Sequence, residues 1–376
     1  MAAPSNQFLS LILFTFSVIF LLNLPCAAAQ APDCNFQAIY NFGDSISDTG
    51  NLIREDNLGT FEPITKLPYG KTYLHQPTGR CSNGLLMVDF FARWLELPFL
   101  NPYLQSDASF GNGVNFAVAG ATALQPSFWL KHGVQTLNTN SSLEVQLNWF
   151  KAYLHSICLS QIVCENELLE KALFLVGEIG GNDYNYAFMQ GKSIEEVTTF
   201  VPNVVHKIKD VASQLIDAGA VHIVIPGNFP IGCIPIYLTI FHSDNPASYD
   251  KNNCLRYFND FAMSHNRQLQ QAIQELKEEF PHVLIAYADY YNSLMGIIKD
   301  ASDKGFESDS LLKACCGIGG AYNFNLVSMC GMQGVPVCPN PEKYIHWDGV
   351  HLTQEAYGQM ASSLISSVAG QWKCLA

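Results

Sequence analysis

Residues 36–51, FQAIYNFGDSISDTGN, pass from an apolar stretch into a turn dense in Gly, Asp, Ser and Asn. Such residues relax a tight corner through local hydrogen bonds and positive φ, and Ser45 could stand there for that reason alone. The apolar part, however, reads as a buried strand with Ser45 at its carboxyl end. Open α/β folds gather their sites at that edge. A displayed nucleophile is the sharper reading, and it requires partners from elsewhere in the chain.

The pattern recurs downstream. Apolar runs at 113–120, 172–183, 221–228 and 283–289 alternate with helical periodicity at 85–97, 142–157, 193–218, 247–280 and 353–369. Ser193 and Glu196 have the spacing of a capping box, and Gly219 is a stop signal for the same segment. Apolar strands separated by amphipathic helices make βαβ units, so the expected fold is α/β with a mostly parallel sheet covered on both faces. There is no Pro/Gly/Ser-rich linker, low-complexity tract or internal repeat, which implies a single domain over 30–376. The Cys-rich segment 314–344 is an elaborated loop in that scheme.

The 376 residues are 48% hydrophobic and 14% charged, enough apolar material for a sizeable core and too few charges for a disordered chain. The run FLSLILFTFSVIFLLNL at 8–24, followed by PCAAAQ, reads as a secretory signal peptide over 1–29. No Lys or Arg precedes that run, which leaves an uncleaved anchor as the alternative. No later stretch has the length and apolarity of a membrane span, so no stable membrane association is expected once the leader is removed. The net charge is −13 and no Lys/Arg cluster occurs, which argues against a nucleic-acid partner.

Twelve cysteines are present, and removing Cys26 with the leader leaves an odd number. In an exported protein most should be oxidised, with at least one thiol left over. Cys158 with Cys164 and Cys233 with Cys254 could each close a loop, and Cys315, Cys316, Cys330 and Cys338 could form two bridges. Asn140-Ser141-Ser142 is an N-glycosylation sequon in a polar stretch.

Ser45, Gly120 and GGND at 180–183 each follow the apolar part of an expected strand, so a parallel sheet brings all three to one edge. HWDGVH, 346–351, lies just before the final helix. Three residues of separation let Asp348 reach the Nδ1–H of His351 and leave Nε2 free as a base. If His351 faces Ser45, nucleophile, base and orienter are complete. Asn182 could offer side-chain N–H groups to an oxyanion, and Gly120 and Ser45 their amides. Taken singly, each residue has a plainer use. The GDS and GGND segments make ordinary turns, while Asp348 and His351 could cap a helix or, with His346, hold a metal. Nothing nearby has metal spacing and no CxxC pair exists, so no metal or cofactor is expected and His346 is read as structural. Asp44 and Asp183 are read as acceptors that brace loops.

FGDSISDTGN, GRCSNG, VNFAVAGAT, GEIGGNDY and WDGVHLT, in that order, resemble the blocks of the plant GDSL esterase/lipases of the SGNH hydrolase superfamily, and the resemblance spans about 36–370. The wording around GDSISDTGN is similar to the members that act on specialised metabolites. The resemblance implies a three-layer, flavodoxin-like α/β/α sandwich with Ser45, Asp348 and His351 as a triad and Gly120 and Asn182 as oxyanion donors. GDSI stands where the family name implies Leu, a swap of similar volume. Cys81 in GRCSNG stands where such enzymes commonly carry Phe. The absence of GxSxG around Ser45 argues against an α/β-hydrolase. The implied activity is that of a secreted, monomeric serine carboxylesterase, with the vacuole as an alternative destination. Its expected partner is a small ester with an acetyl or other short acyl group. Acyl transfer through the same acyl-enzyme, a lipase on acyl lipids and a non-catalytic binding protein are the alternatives. Pocket walls are expected from loops 54–80, 121–140, 228–250 and 314–344.

Overall fold

The computed structural model describes residues 36–55, 58–158 and 168–372. The expected signal peptide and Cys164 lie outside the described residues. Five strands, β1 (Ala38–Phe42), β2 (Gly113–Asn115), β3 (Ala172–Val176), β4 (His222–Pro226) and β5 (Leu284–Ala288), form one sheet in the order β2-β1-β3-β4-β5. Every neighbouring pair is parallel. The longer helices are α1 (Met87–Trp94), α2 (Leu143–Ile157), α3 (Gly181–Met189), α4 (Val201–Asp217), α5 (Arg256–Glu279), α6 (Tyr290–Lys299) and α7 (Gln354–Trp372).

Two-residue alternation explains why β1 and β3 are buried along their whole length. Tyr40, Phe42 and Phe174 turn to one face and pack on Phe150 of α2, with ring centroids 5.4, 5.8 and 5.7 Å from it. Asn41, Leu175 and Val224 turn to the other face, around a small cavity shared with Met87, Val88 and Phe91 of α1. α2, α4 and α5 pack in series on one side, and α1, α6 and α7 on the other. The result is the parallel sheet covered on both faces that the alternation implied, and the three-layer α/β/α sandwich that the resemblance implied. The strand order reverses between β1 and β3, and a crevice at such a reversal is where sheets of this order receive ligands.

Polar side chains shorten two of the expected elements. The 113–120 run pairs as a strand only to Asn115, because Asn51 Nδ2 takes the carbonyls of Asn115 and Ala117, both at 2.8 Å. Helix α5 starts at Arg256 rather than near 247, because Asp250 Oδ1 accepts from the amides of Asn252 (2.8 Å) and Cys254 (3.0 Å) and holds a turn there. The 193–218 segment splits into Ile194–Thr198 and α4, since Pro202 has no N–H to continue one helix through the junction. Ser193 Oγ caps the first piece at Glu196 N (3.2 Å), while the Glu196 carboxylate pairs with Lys192 at 2.7 Å instead of completing a capping box. Cys233–Cys254, Cys315–Cys338 and Cys316–Cys330 are disulfides, and Cys81 is a buried free thiol.

Candidate active site

The loop that leaves β1 is built on carboxylates and amides. Gln146 of α2 clamps Gly43, accepting from its amide at 2.9 Å and donating to its carbonyl at 2.8 Å. Asp48 gathers the amides of Gly50, Asn51, Leu52 and Ala119 at 2.6–3.0 Å, although burial still raises its carboxyl pKa. Asp44 Oδ1 accepts from Ile46 N at 3.0 Å. Ser45 is thereby fixed between its neighbours, 4% exposed at the edge of the crevice.

HWDGVH is held from two sides. Trp347 N donates to His351 O (2.7 Å), and the amides of Cys315 and Cys316 donate to the carbonyls of His346 and Trp347 at 3.0 and 2.7 Å. Asp348 Oδ1 takes the amides of Val350 and His351 at 3.0 and 2.9 Å, which closes a tight turn. Gly349 sits in that turn at φ +102°, where a Cβ would run into the Phe324 ring. The turn aims His351 at Ser45.

His351 Nε2 lies 2.8 Å from Ser45 Oγ, and His351 Nδ1 lies 2.8 Å from Asp348 Oδ2 and 3.0 Å from Oδ1. Burial opposes ionisation of Asp348, but His351 and the two amides outweigh it and bring its pKa down to about 2. An anionic Asp348 places the imidazole proton on Nδ1, so Nε2 is the acceptor for the Ser45 hydroxyl. Tyr69 donates a further hydrogen bond to Asp348 Oδ2 at 2.7 Å. Sequence reading missed this contact, because a single Tyr in a long loop carries no signal of it.

Asn182 lines the crevice beside Ser45, and Gly120 lies against three residues that also line it. Gly120, at φ +84°, is wedged among Asn138, Tyr186 and Phe61, and Tyr186 OH donates to its carbonyl at 3.0 Å. Among the described residues, the amides of Ser45 and Gly120 have no protein acceptor, whereas those of Ile46, Ala119 and Ala121 do. Asn182 lies in the first turn of α3 rather than in a loop, because Gly180 at φ +104°, four residues after β3 ends, serves as the N-cap that starts the helix. Its Nδ2 donates to Asp44 Oδ2 and Ala121 O, each at 3.1 Å.

Asp183 accepts from Ala123 N, Leu124 N and Trp129 Nε1 at 2.7–3.1 Å, and burial pushes its carboxyl up to about 7. Burial likewise raises Glu178, to about 7, and Asp44, and a side-chain hydrogen bond links these two. His346 is fully buried and kept neutral, its pKa driven down to about 3 by desolvation. It is not among the groups that meet Ser45. Asn140 is exposed, as an acceptor asparagine must be.

The model of the GDSL-like lipase/acylhydrolase family matches residues 39–364. The chain belongs to that family. This GDSL enzyme is 46% identical to acetylajmalan esterase 1 of Rauvolfia serpentina over 341 residues, covering 91% of this chain and 89% of that one. It is 42% identical to sinapine esterase of Brassica napus over 370 residues, covering 96% and 95%. A crystal structure of phospholipase A1 from Streptomyces albidoflavus NA297 aligns with a TM-score of 0.38 at 14% identity, covering 90% of this chain and 99% of that one. The GDSL protein is a carboxylic ester hydrolase, and a small-molecule ester is its substrate class. No helix among its described residues is long and apolar enough to cross a membrane.

A cleft of about 330 Å³ opens over Ser45 and His351, within the range of small-molecule sites. Its walls include Phe61, Leu137, Ile236 and Phe324, one from each of the four expected loops. Helix α3, which contributes Asn185 and Met189, is a wall that sequence reading did not foresee.

Proposed function

We propose that the protein is a secreted serine carboxylesterase for short acyl esters, with Ser45 as nucleophile, His351 as base and Asp348 as orienter. The supporting observation is the unbroken hydrogen-bonded line from Ser45 Oγ to His351 Nε2 (2.8 Å) and from Nδ1 to Asp348 (2.8 Å). On this reading His351 takes the Ser45 proton as Oγ attacks the ester carbonyl. The oxyanion forms against the free amides of Ser45 and Gly120 and the Asn182 side chain. His351 then protonates the departing alcohol, and water cleaves the acyl-enzyme by the reverse proton path. Export is supported by three disulfides among the described residues, bonds that persist in oxidising compartments.

Purified Ser45→Ala protein tests the assignment. It should keep the parent thermal midpoint, lose turnover of p-nitrophenyl acetate and lose labelling by a fluorophosphonate probe. Parent-rate hydrolysis by Ser45→Ala protein would end the proposal.

A further inference from the structure

Two cavities meet at Ser45. The larger, about 330 Å³, is flanked by Phe61, Leu137, Phe324 and Leu326 and contains His351 and Asp348. The smaller, about 50 Å³, runs under Ile231, Ile234 and Tyr237, and His351 does not line it. Ser45, Asn182, Asn185, Met189, Ile236 and Val350 border both and form the saddle between them.

The route of the proton assigns one half of the ester to each cavity, given the roles proposed above for Ser45 and His351. The alcohol oxygen must receive its proton from His351 Nε2, so the alcohol half occupies the cavity that His351 lines. The acyl substituent stays on the carbon bonded to Ser45 Oγ and points the other way. We infer that the small cavity is the acyl subsite, and that the enzyme is selective for acetyl- to propionyl-sized esters of bulky, largely apolar alcohols.

Magnitudes support that division. A cavity of about 150 Å³ is what encloses one benzene ring. The acyl cavity, at about 50 Å³, falls far short of that, so benzoyl- and cinnamoyl-type acyl groups do not fit. Its end wall is not free to retreat. Gly232 N donates to Asn259 Oδ1 (2.9 Å), Leu255 N donates to Gly232 O (2.8 Å), and Cys233–Cys254 ties the same segment to the start of α5. The small space and its braced wall therefore select against lengthening.

Four p-nitrophenyl esters with one leaving group test the inference: acetate, butyrate, hexanoate and benzoate. The parent enzyme should lose at least about tenfold in kcat/KM from acetate to hexanoate and from acetate to benzoate. Ile234→Ala should move the preference toward butyrate and hexanoate, while Leu326→Ala, in the larger cleft, should leave the acyl ranking unchanged. Ile231→Ala serves the same purpose if Ile234→Ala does not fold. Equal turnover of acetate, hexanoate and benzoate by an enzyme that Ser45→Ala inactivates would overturn the acyl subsite and leave the nucleophile standing. Activity surviving in Ser45→Ala protein would remove the reading on which the subsite rests.

Discussion

The hydroxyl of Tyr69 donates to Asp348 Oδ2 at 2.7 Å, joining the loop after β1 to the carboxylate that holds His351. Burial and the Asp348 charge raise the Tyr69 pKa well above its ordinary value, so the group stays a neutral donor across the working pH range. Hydrogen bonds to charged groups contribute about 1.5–3 kcal/mol. Tyr69→Phe should therefore lower kcat about tenfold or more by loosening Asp348. KM should change little, and full kinetics on p-nitrophenyl acetate read both values. An unchanged kcat would show that the two amides alone hold Asp348.

Asn182 makes a related case. Its Nδ2 is already spoken for by Asp44 Oδ2 and Ala121 O, so the side chain is aimed before any substrate arrives. Donation to an oxyanion then requires only that one of these bonds yields, with little reorganisation. Asn182→Ala should lower kcat by about 10²–10³, the effect of removing one oxyanion donor elsewhere. Substrate KM should stay near the parent value, because the interaction strengthens only as charge develops on the carbonyl oxygen.

The Asp44–Glu178 pair carries a pH signature. Glu178 is raised to about 7 chiefly by burial, with the Asp44 hydrogen bond opposing and the Asp183 charge adding to the rise. A carboxyl with a raised folded-state pKa binds its proton more tightly folded than unfolded. Its stabilising contribution is complete below the unfolded value and is lost as pH rises to about 7. Glu178→Gln mimics the protonated acid at every pH. The difference in thermal midpoint, variant minus parent, should thus grow more positive between pH 5 and pH 8, each kcal/mol appearing as about 1–2 °C in a chain of this length. Parallel melting curves for the two proteins across that interval would contradict the assignment.

Strand positions and the Asp348–His351 pair were legible because both follow from short-range patterns, whereas the meeting of Ser45 with His351, 306 residues apart, was implied only by the resemblance. Apolar runs of five to eight residues mark β1 and β3, and three-residue spacing marks Asp348 and His351. Missing from the sequence was anything set by a side chain reaching a distant backbone. Asn51 ends β2 by taking carbonyls from 64 and 66 positions away, and Asn115 beside β1 joins the same polar network. Helix α3 was legible only as a turn, since its start depends on the left-handed geometry at Gly180. The Cys-rich segment was legible as two bridges, but the pairing was not. Four thiols within one loop allow three connectivities.

That pairing sets up the last expectation. Cys316 contributes its sulfur to the bridge with Cys330 and its amide to the Trp347 carbonyl at 2.7 Å, one residue before Asp348. The bridge closes a short loop, with a sequence separation of 14, for which chain entropy gives a stabilisation of about 3 kcal/mol. Its loss should also let residues 346–351 shift, and a displacement of His351 by a fraction of an ångström weakens its hold on the Ser45 proton. A Cys316→Ser/Cys330→Ser double variant should therefore melt earlier and, below its transition, show lower kcat. Cys233→Ser/Cys254→Ser should melt earlier too, but that bridge holds the small cavity's wall rather than the histidine turn. Its effect should fall on the acyl-length profile. Circular dichroism melts with ester kinetics on the two double variants separate the outcomes, and an identical kinetic defect in both would argue for a general loss of rigidity.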